Sequence, residues 1–96
     1  MDFQILYTPE ALADFEQIIA YTSEYAADAS SDVGHALLQH IRVLARFPQA
    51  GPLIRKRKGI RKLLHSPYRI YYRVDLRERT IQILRIWHTA RRVPKL

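Results

Sequence analysis

The apolar residues of this 96-residue chain change their spacing once, and that change limits the folds it can adopt. Up to about residue 47 they recur every three or four positions, as on one face of an amphipathic helix. From residue 60 onward they form short runs rich in Ile, Tyr, Val and Leu, which are typical of strands. Pro48 and the turn Ala50-Gly51-Pro52 separate the two regions. The sequence therefore predicts a helical part followed by a sheet, in a single domain over residues 1–96.

Two helices are expected in the first region, over roughly residues 9–26 and 29–47. Thr8 and Pro9 are typical of a helix start, as the N-cap and the first helical residue. Residues 26–31 are interpreted as the link or the start of the second helix. Because this connection is short, we expect an antiparallel helical hairpin.

Each helix has a predicted buried face and a predicted polar face. The polar face of the first helix is expected to carry Asp14, Glu16 and Gln17. The predicted apolar residues are Leu12, Phe15, Ile18, Ile19 and Thr22 in the first helix, and Val33, Ala36, Leu37, Ile41 and Leu44 in the second.

The second region predicts three strands joined by short turns, and the run Phe3–Tyr7 predicts one more strand at the N-terminus. The three are Ile60–His65, Tyr68–Val74 and Thr80–Trp87. The last strand should be central, because its residues Ile81, Ile83, Leu84 and Ile86 place apolar groups on both faces. The order β-α-α-β-β-β predicts an α+β fold. In it, a helical hairpin packs on one face of a small, mainly antiparallel sheet.

The net charge of +7 is divided unevenly along the chain. Residues 1–54 contain two arginines against seven acidic residues, a net charge of −5. Residues 55–96 contain fourteen Lys and Arg against two acidic residues, a net charge of +12. If the helices and the sheet form separate layers, the sheet side is strongly positive and suits a negatively charged partner.

Composition excludes several classes of protein. No apolar run approaches the roughly 18 residues needed to span a membrane. The first ten residues lack a basic signal-peptide region, so we expect a cytoplasmic protein with no membrane partner. The chain has no cysteine, hence no disulfide or thiolate chemistry. No spacing of histidines or carboxylates predicts a metal site, and no cofactor is expected.

An ordered set of short motifs extends over nearly the whole chain. They are Tyr7–Ala11, Asp14-Phe15 with Ile18, the Phe47-Pro48…Gly51 turn, Gly59–Arg61, Tyr68–Val74 and Ile83–His88. In this set and order the chain resembles the RelE/ParE superfamily of toxins from bacterial type II toxin–antitoxin modules. The ParE-like branch is favoured because both helical segments are long. In addition, the C-terminal tyrosine of RelE-like members has no counterpart after Arg92.

The resemblance implies a toxin that inhibits growth and belongs to a module of the plasmid-stabilising kind. A ParE-like member binds and inhibits DNA gyrase, and a cognate antitoxin neutralises it through an acidic C-terminal segment. With this function no catalytic residue is assigned. The expected target-binding residues are Arg85, His88, Arg91, Arg92 and Lys95, and the basic loop Arg55, Lys56, Arg57 and Lys58 either contacts phosphates or is simply solvated.

The alternative implied by the resemblance is a RelE-like endonuclease that cuts mRNA on the ribosome without a metal. Such chemistry needs cations to stabilise the phosphate and a group that carries a proton. Lys62, Arg69 and Arg91 match positions of the RelE-like set, and His88 would be the proton carrier. Structural roles compete with both assignments, because Arg69 lies in a pattern common to both branches and His88 could simply end a buried strand.

Overall fold

The computed structural model describes residues 2–25 and 30–96, so the predicted link lies outside the described residues over 26–29. Two helices pack on one face of a four-stranded sheet, which confirms the predicted α+β fold. The elements are β1 (Gln4–Tyr7), α1 (Pro9–Tyr25), α2 (Ser30–Arg46), β2 (Ile60–His65), β3 (Tyr68–Asp75) and β4 (Thr80–His88). Neither helix, as far as the chain is described, has the length and apolar character to cross a membrane.

The sheet has the strand order β1-β4-β3-β2, so β4 is central as predicted. The strands β2, β3 and β4 form an antiparallel meander, whereas β1 pairs in parallel with β4, with Gln4 opposite Thr80. This parallel pairing brings the first and the last strand of the chain together. Helix α1 begins two residues after the end of β1 and crosses one face of the sheet.

A bulge in β4 changes the predicted distribution of its apolar residues. Tyr71 lies opposite Arg85 but Tyr72 lies opposite Ile83, so β4 contains one extra residue, Leu84. Ile83 and Ile86 therefore both enter the core beneath the helices, and neither is exposed by more than 2%. The prediction of apolar groups on both faces was wrong for these residues, because strict alternation does not allow for an inserted residue.

The buried face of α1 is rotated relative to the predicted one. Leu12 is 48% exposed, whereas Asp14 is only 6% exposed. The core face is formed by Ala11 and Ile18, seven positions apart, and Asp14 lies between them at helical spacing. The polar-face assignment of Asp14 was wrong because a partner across the sheet makes burial of its carboxylate favourable.

The turn after α2 is held against the sheet by Tyr72. The Tyr72 hydroxyl donates to the Pro48 carbonyl (2.8 Å) and accepts from the Gly51 N–H (2.9 Å). Burial raises the pKa of this hydroxyl, which therefore stays protonated as a donor. The backbone of the same turn pairs with the outer edge of β2, where Lys62 N–H donates to the Pro52 carbonyl (3.0 Å). This turn protects the first half of an otherwise open sheet edge.

Candidate partner-binding surfaces

The edge of β4 is completed by α1 where β1 ends. The Thr8 N–H and hydroxyl both donate to the Ile83 carbonyl, at 3.1 and 3.0 Å, and the hydroxyl also accepts from the Ala11 N–H as the N-cap of α1. One turn later the Asp14 carboxylate accepts the Ile86 N–H at 3.0 Å. Side chains of α1 thus replace a neighbouring strand along this part of β4.

The Asp14 carboxylate also forms a two-pronged ion pair with Arg85. Arg85 Nε donates to Oδ2 at 2.8 Å and Nη2 donates to Oδ1 at 2.7 Å. These hydrogen bonds raise the pKa of the Arg85 guanidinium, although burial acts in the opposite direction. Arg85, predicted to bind the target, therefore fastens α1 to β4. Asp14 was not among the predicted site residues, and its helical spacing with Ala11 and Ile18 was the one available signal.

Trp87 holds the segment that follows β4. Its indole N–H donates to the Arg92 carbonyl, and the Arg91 guanidinium carbon lies 3.6 Å from the ring centroid. The Arg85 guanidinium carbon is 4.5 Å from the same centroid. Cations stacked on an indole gain electrostatic attraction and apolar contact. Trp87 was not predicted as a functional residue, yet it determines where Arg91 and Arg92 lie.

The sheet face that points away from the helices, here called the outer face, is strongly cationic. Because neighbouring strand residues alternate in direction, Leu63, Ile70 and Tyr72 point into the core. Residues next to them must point outward. The outward residues of β2 and β3 form two pairs, in which Lys62 lies beside Tyr71 and Leu64 lies beside Arg69. On β4, Trp87 lies next to Arg69, and Arg73 lies further along β3. Among the strand positions of this face, Asp75 at the end of β3 is the one acid.

His88 lies on the opposite side of the sheet from Lys62 and Arg69. The register places His88 beside Tyr68, with ring centroids 5.7 Å apart, whereas Arg69 lies beside Trp87. The imidazole Nδ1 of His88 accepts the Ala90 N–H at 3.0 Å. The four residues of the endonuclease hypothesis are therefore not all on one face. Lys62 and Arg69 share the outer face, and Arg91 lies at the edge between the two sides.

The remaining predicted cations lie at separate places. The basic loop, residues 55–58, is exposed and leads into the Ile60 end of β2, which lies opposite Arg73. His88, Arg91 and the exposed Arg92 lie at the other end of the sheet. Lys95 lines a small cleft beside Thr8 and Glu10 at the start of α1. The predicted target-binding residues thus surround the end of β4, whereas the basic loop lies at the far end of the sheet.

A groove runs between the helices and the end of the sheet where β3 begins. It consists of two clefts of about 540 and 330 Å³ that share Pro67 and Tyr68, and we call it the Tyr68 groove. Burial raises the pKa of the Tyr68 hydroxyl, with a smaller contribution from Tyr21 on α1. The lining residues are Asp14, Gln17, Ile18, Tyr21, Ile86, His88 and Arg91 in the larger cleft, and Thr22, Asp32, Val33, Ala36, His65 and Ser66 in the smaller one.

The groove combines apolar and aromatic walls with a rim that carries the cation Arg91 and the imidazole of His88. Such a shape suits an amphipathic peptide segment better than a small polar molecule. Within residues 2–25 and 30–96, no three His, Asp or Glu side chains are grouped so that they could hold a metal ion.

Comparison with solved structures gives close agreement in fold. The chain is similar to a protein of the chromosomal ParDE toxin–antitoxin system from P. aeruginosa, with 21% identity, a TM-score of 0.78 and coverage of 90% of this chain and 95% of that one. It is also similar to a chain of the RelBE2 toxin–antitoxin complex from Mycobacterium tuberculosis, with 23% identity, a TM-score of 0.64 and coverage of 92% and 99%. A YoeB/ParE toxin from Agrobacterium tumefaciens has 19% identity, a TM-score of 0.61 and coverage of 88% and 96%.

Sequence comparison identifies the family. No curated protein matches the chain. Residues 5–93 match the family described as the ParE toxin of the type II toxin–antitoxin system parDE. This match includes both helices and all four strands except Gln4, the first residue of β1, and it agrees with the predicted ParE-like branch. The chain therefore belongs to the ParE toxin family of type II toxin–antitoxin systems.

Proposed function

We propose that this toxin acts in the cytoplasm by binding and inhibiting DNA gyrase, without breaking a covalent bond itself. The observation that carries the proposal is the division of charged residues between the two sides of the sheet. The outer face presents Lys62, Arg69 and Arg73 to a partner, whereas His88, the predicted proton carrier, lies on the side of the helices. A cationic face whose predicted proton carrier lies on the opposite side of the sheet supports binding to an anionic surface more strongly than RNA cleavage.

The gyrase proposal is tested with the purified chain and with two variants of equal charge change. The first combines Lys62→Ala, Arg69→Ala and Arg73→Ala on the outer face, and the second combines Arg55→Ala, Lys56→Ala and Arg57→Ala in the basic loop. Each exposed ion pair contributes about 0.2–1 kcal/mol, so the loss of three should weaken inhibition of supercoiling roughly 3- to 150-fold. The loop variant should stay within about threefold of the unchanged chain.

Three results would contradict this proposal. Gyrase is not the target if the unchanged chain leaves both supercoiling and DNA cleavage by gyrase unaffected. Equal losses in the two variants would show that total charge, and not the outer face, matters. Cleavage of mRNA in programmed ribosomes, abolished by His88→Ala, would instead support the endonuclease hypothesis. Equal thermal midpoints of all variants would establish that the substitutions do not act through folding.

We further propose that the cognate antitoxin occupies the Tyr68 groove with an acidic, amphipathic segment. The apolar walls formed by Ile18 and Ile86 suit one side of such a segment, and the cationic rim suits the other. The two toxin–antitoxin systems whose structures resemble this chain support a protein partner of this class.

Association with the antitoxin should depend strongly on salt. Raising NaCl from about 50 mM to about 500 mM shortens the screening length severalfold, and we expect the association rate constant to fall at least about tenfold. The dissociation rate constant should change much less, because the apolar contacts in the groove are not screened. Surface plasmon resonance measures both constants. The variant Tyr21→Ala should dissociate faster, and its association should keep the same salt dependence. An association rate constant that does not change with salt would contradict electrostatic steering.

A further inference from the structure

Two histidines from different elements meet at the wall of the Tyr68 groove. His40 lies in the middle of α2 and His65 is the last residue of β2, and their Nδ1 atoms are 2.8 Å apart. The ring centroids are 5.0 Å apart, and the ring planes are inclined by 52°. A hydrogen bond between two imidazole nitrogens requires one protonated and one unprotonated nitrogen. The contact is therefore compatible with one proton on the two Nδ1 atoms and incompatible with two.

We propose that His40 and His65 form a clamp between α2 and β2 that a second proton opens. With at most one positive ring, the Nδ1–H of one histidine donates to the other and holds the helix against the end of the strand. With both rings positive, the acceptor is lost and two like charges face each other at hydrogen-bonding distance. The clamp lies within this chain and does not depend on what binds in the groove.

The surroundings of the pair favour the singly protonated or neutral state. Burial lowers the pKa of His65, and the charge of His40 lowers it further. Titratable groups on the neighbouring elements include Asp32 and Arg42 on α2, Tyr21 on α1, Tyr68 on β3 and Tyr7 on β1. Asp32 lines the same cleft as His65. Burial raises the pKa of the Tyr7 hydroxyl, and the charge of Arg42 offsets only part of that rise.

The direction of the pH effect follows from the lowered pKa of His65. In the unfolded chain a histidine binds its proton with a pKa of about 6.5. Because folding favours the neutral ring, the stabilising contribution is complete above that value and is lost as the pH falls below it. Protonation at acidic pH therefore opens the clamp. This opening should change the wall of the smaller cleft, which is lined by His65 together with Thr22 of α1 and Val33 of α2.

Nuclear magnetic resonance of the intact chain tests the hydrogen bond directly. In ¹⁵N-labelled protein at about pH 7.5, we expect a coupling between the two Nδ1 nuclei through the hydrogen bond, with one ring carrying its proton on Nδ1. At about pH 5 that coupling should disappear, and amide exchange should become faster in α2 and at the end of β2. Two rings that both carry their proton on Nε2 at pH 7.5 would overturn the proposal.

Thermal unfolding gives an independent measurement. Between about pH 7.5 and pH 5.5 the unchanged chain should lose about 4–8 °C more in its midpoint than His40→Gln or His65→Gln, because a glutamine amide does not titrate. His35→Gln is the matched control on an exposed position of the same helix and should retain the full pH dependence. The proposal fails if His40→Gln and His65→Gln show the pH dependence of the unchanged chain. If these variants do not fold, the nuclear magnetic resonance result on the unchanged chain decides.

Discussion

Asp14→Ala is expected to lower the free energy of unfolding by about 3–5 kcal/mol, because it breaks a buried ion pair and removes a backbone acceptor in one step. The Asp14 side chain is 7% exposed and the Arg85 side chain 23% exposed. Without the carboxylate, the Ile86 N–H has lost its partner at a sheet edge that no strand covers. An unsatisfied buried N–H alone costs about 1–3 kcal/mol. Chemical denaturation followed by circular dichroism measures the loss.

Two further variants distinguish the ion pair from a general effect of substitution in α1. Glu16→Ala, at an exposed position of the same helix, should remain within about 0.5 kcal/mol of the unchanged chain. The double variant Asp14→Ala with Arg85→Ala should be more stable than the sum of the single losses predicts, by about 0.5–3 kcal/mol, because the two groups interact directly. Additive losses, or an Asp14→Ala chain as stable as Glu16→Ala, would mean that the ion pair does not fasten α1.

Gly51→Ala should also destabilise the fold, by about 2–4 kcal/mol, because there is no room for a side chain at this turn. A Cβ atom at Gly51 would lie 2.5 Å from the Lys62 carbonyl oxygen, which belongs to the backbone of β2. The turn would have to move outward, which lengthens the hydrogen bonds from Gly51 to Tyr72 and from Arg61 to Gly51. For a chain of this size, the thermal midpoint should fall by at least about 8 °C.

A glycine-to-alanine substitution in α2, Gly34→Ala, is the matched control, and for it we expect no loss of stability. A Cβ atom at Gly34 would lie 2.8 Å from Ile19 Cδ1, which is the free end of a flexible side chain. Ile19 can rotate away, and alanine is better than glycine within a helix by about 0.5–1 kcal/mol. We therefore expect Gly34→Ala to be neutral or slightly stabilising by calorimetry. A Gly51→Ala chain that melts with the unchanged protein would contradict the close approach of the turn to β2.

Periodicity was sufficient to predict the elements of this fold but not every side-chain direction. The run of β-branched and aromatic residues defined β2 exactly at Ile60–His65, because Gly59 and Ser66-Pro67 lie on either side of it. The extra residue Leu84 and the burial of Asp14 were not predictable in the same way. Both depend on contacts between segments that are distant in sequence, and the local spacing of apolar residues does not determine those contacts.

The candidate site was predictable as a region and not as a set of contacts. The cations around the end of β4 were identified from the sequence, and the structure does place His88, Arg91 and Arg92 there. Arg85 and Arg91 both lie over the Trp87 ring, and Arg85 differs in its ion pair with Asp14. Such a distinction requires the position of α1 relative to β4. Whether these residues bind the target stays a prediction.

The parallel pairing of β1 with β4 also has a consequence for biosynthesis. Thr8 donates to the carbonyl of a residue 75 positions later, and its helix cannot be fastened until that residue has left the ribosome. Until then, a nascent chain has neither the completed sheet nor the groove. The sheet and the groove are therefore completed only at the end of synthesis, when nearly the whole chain has been made.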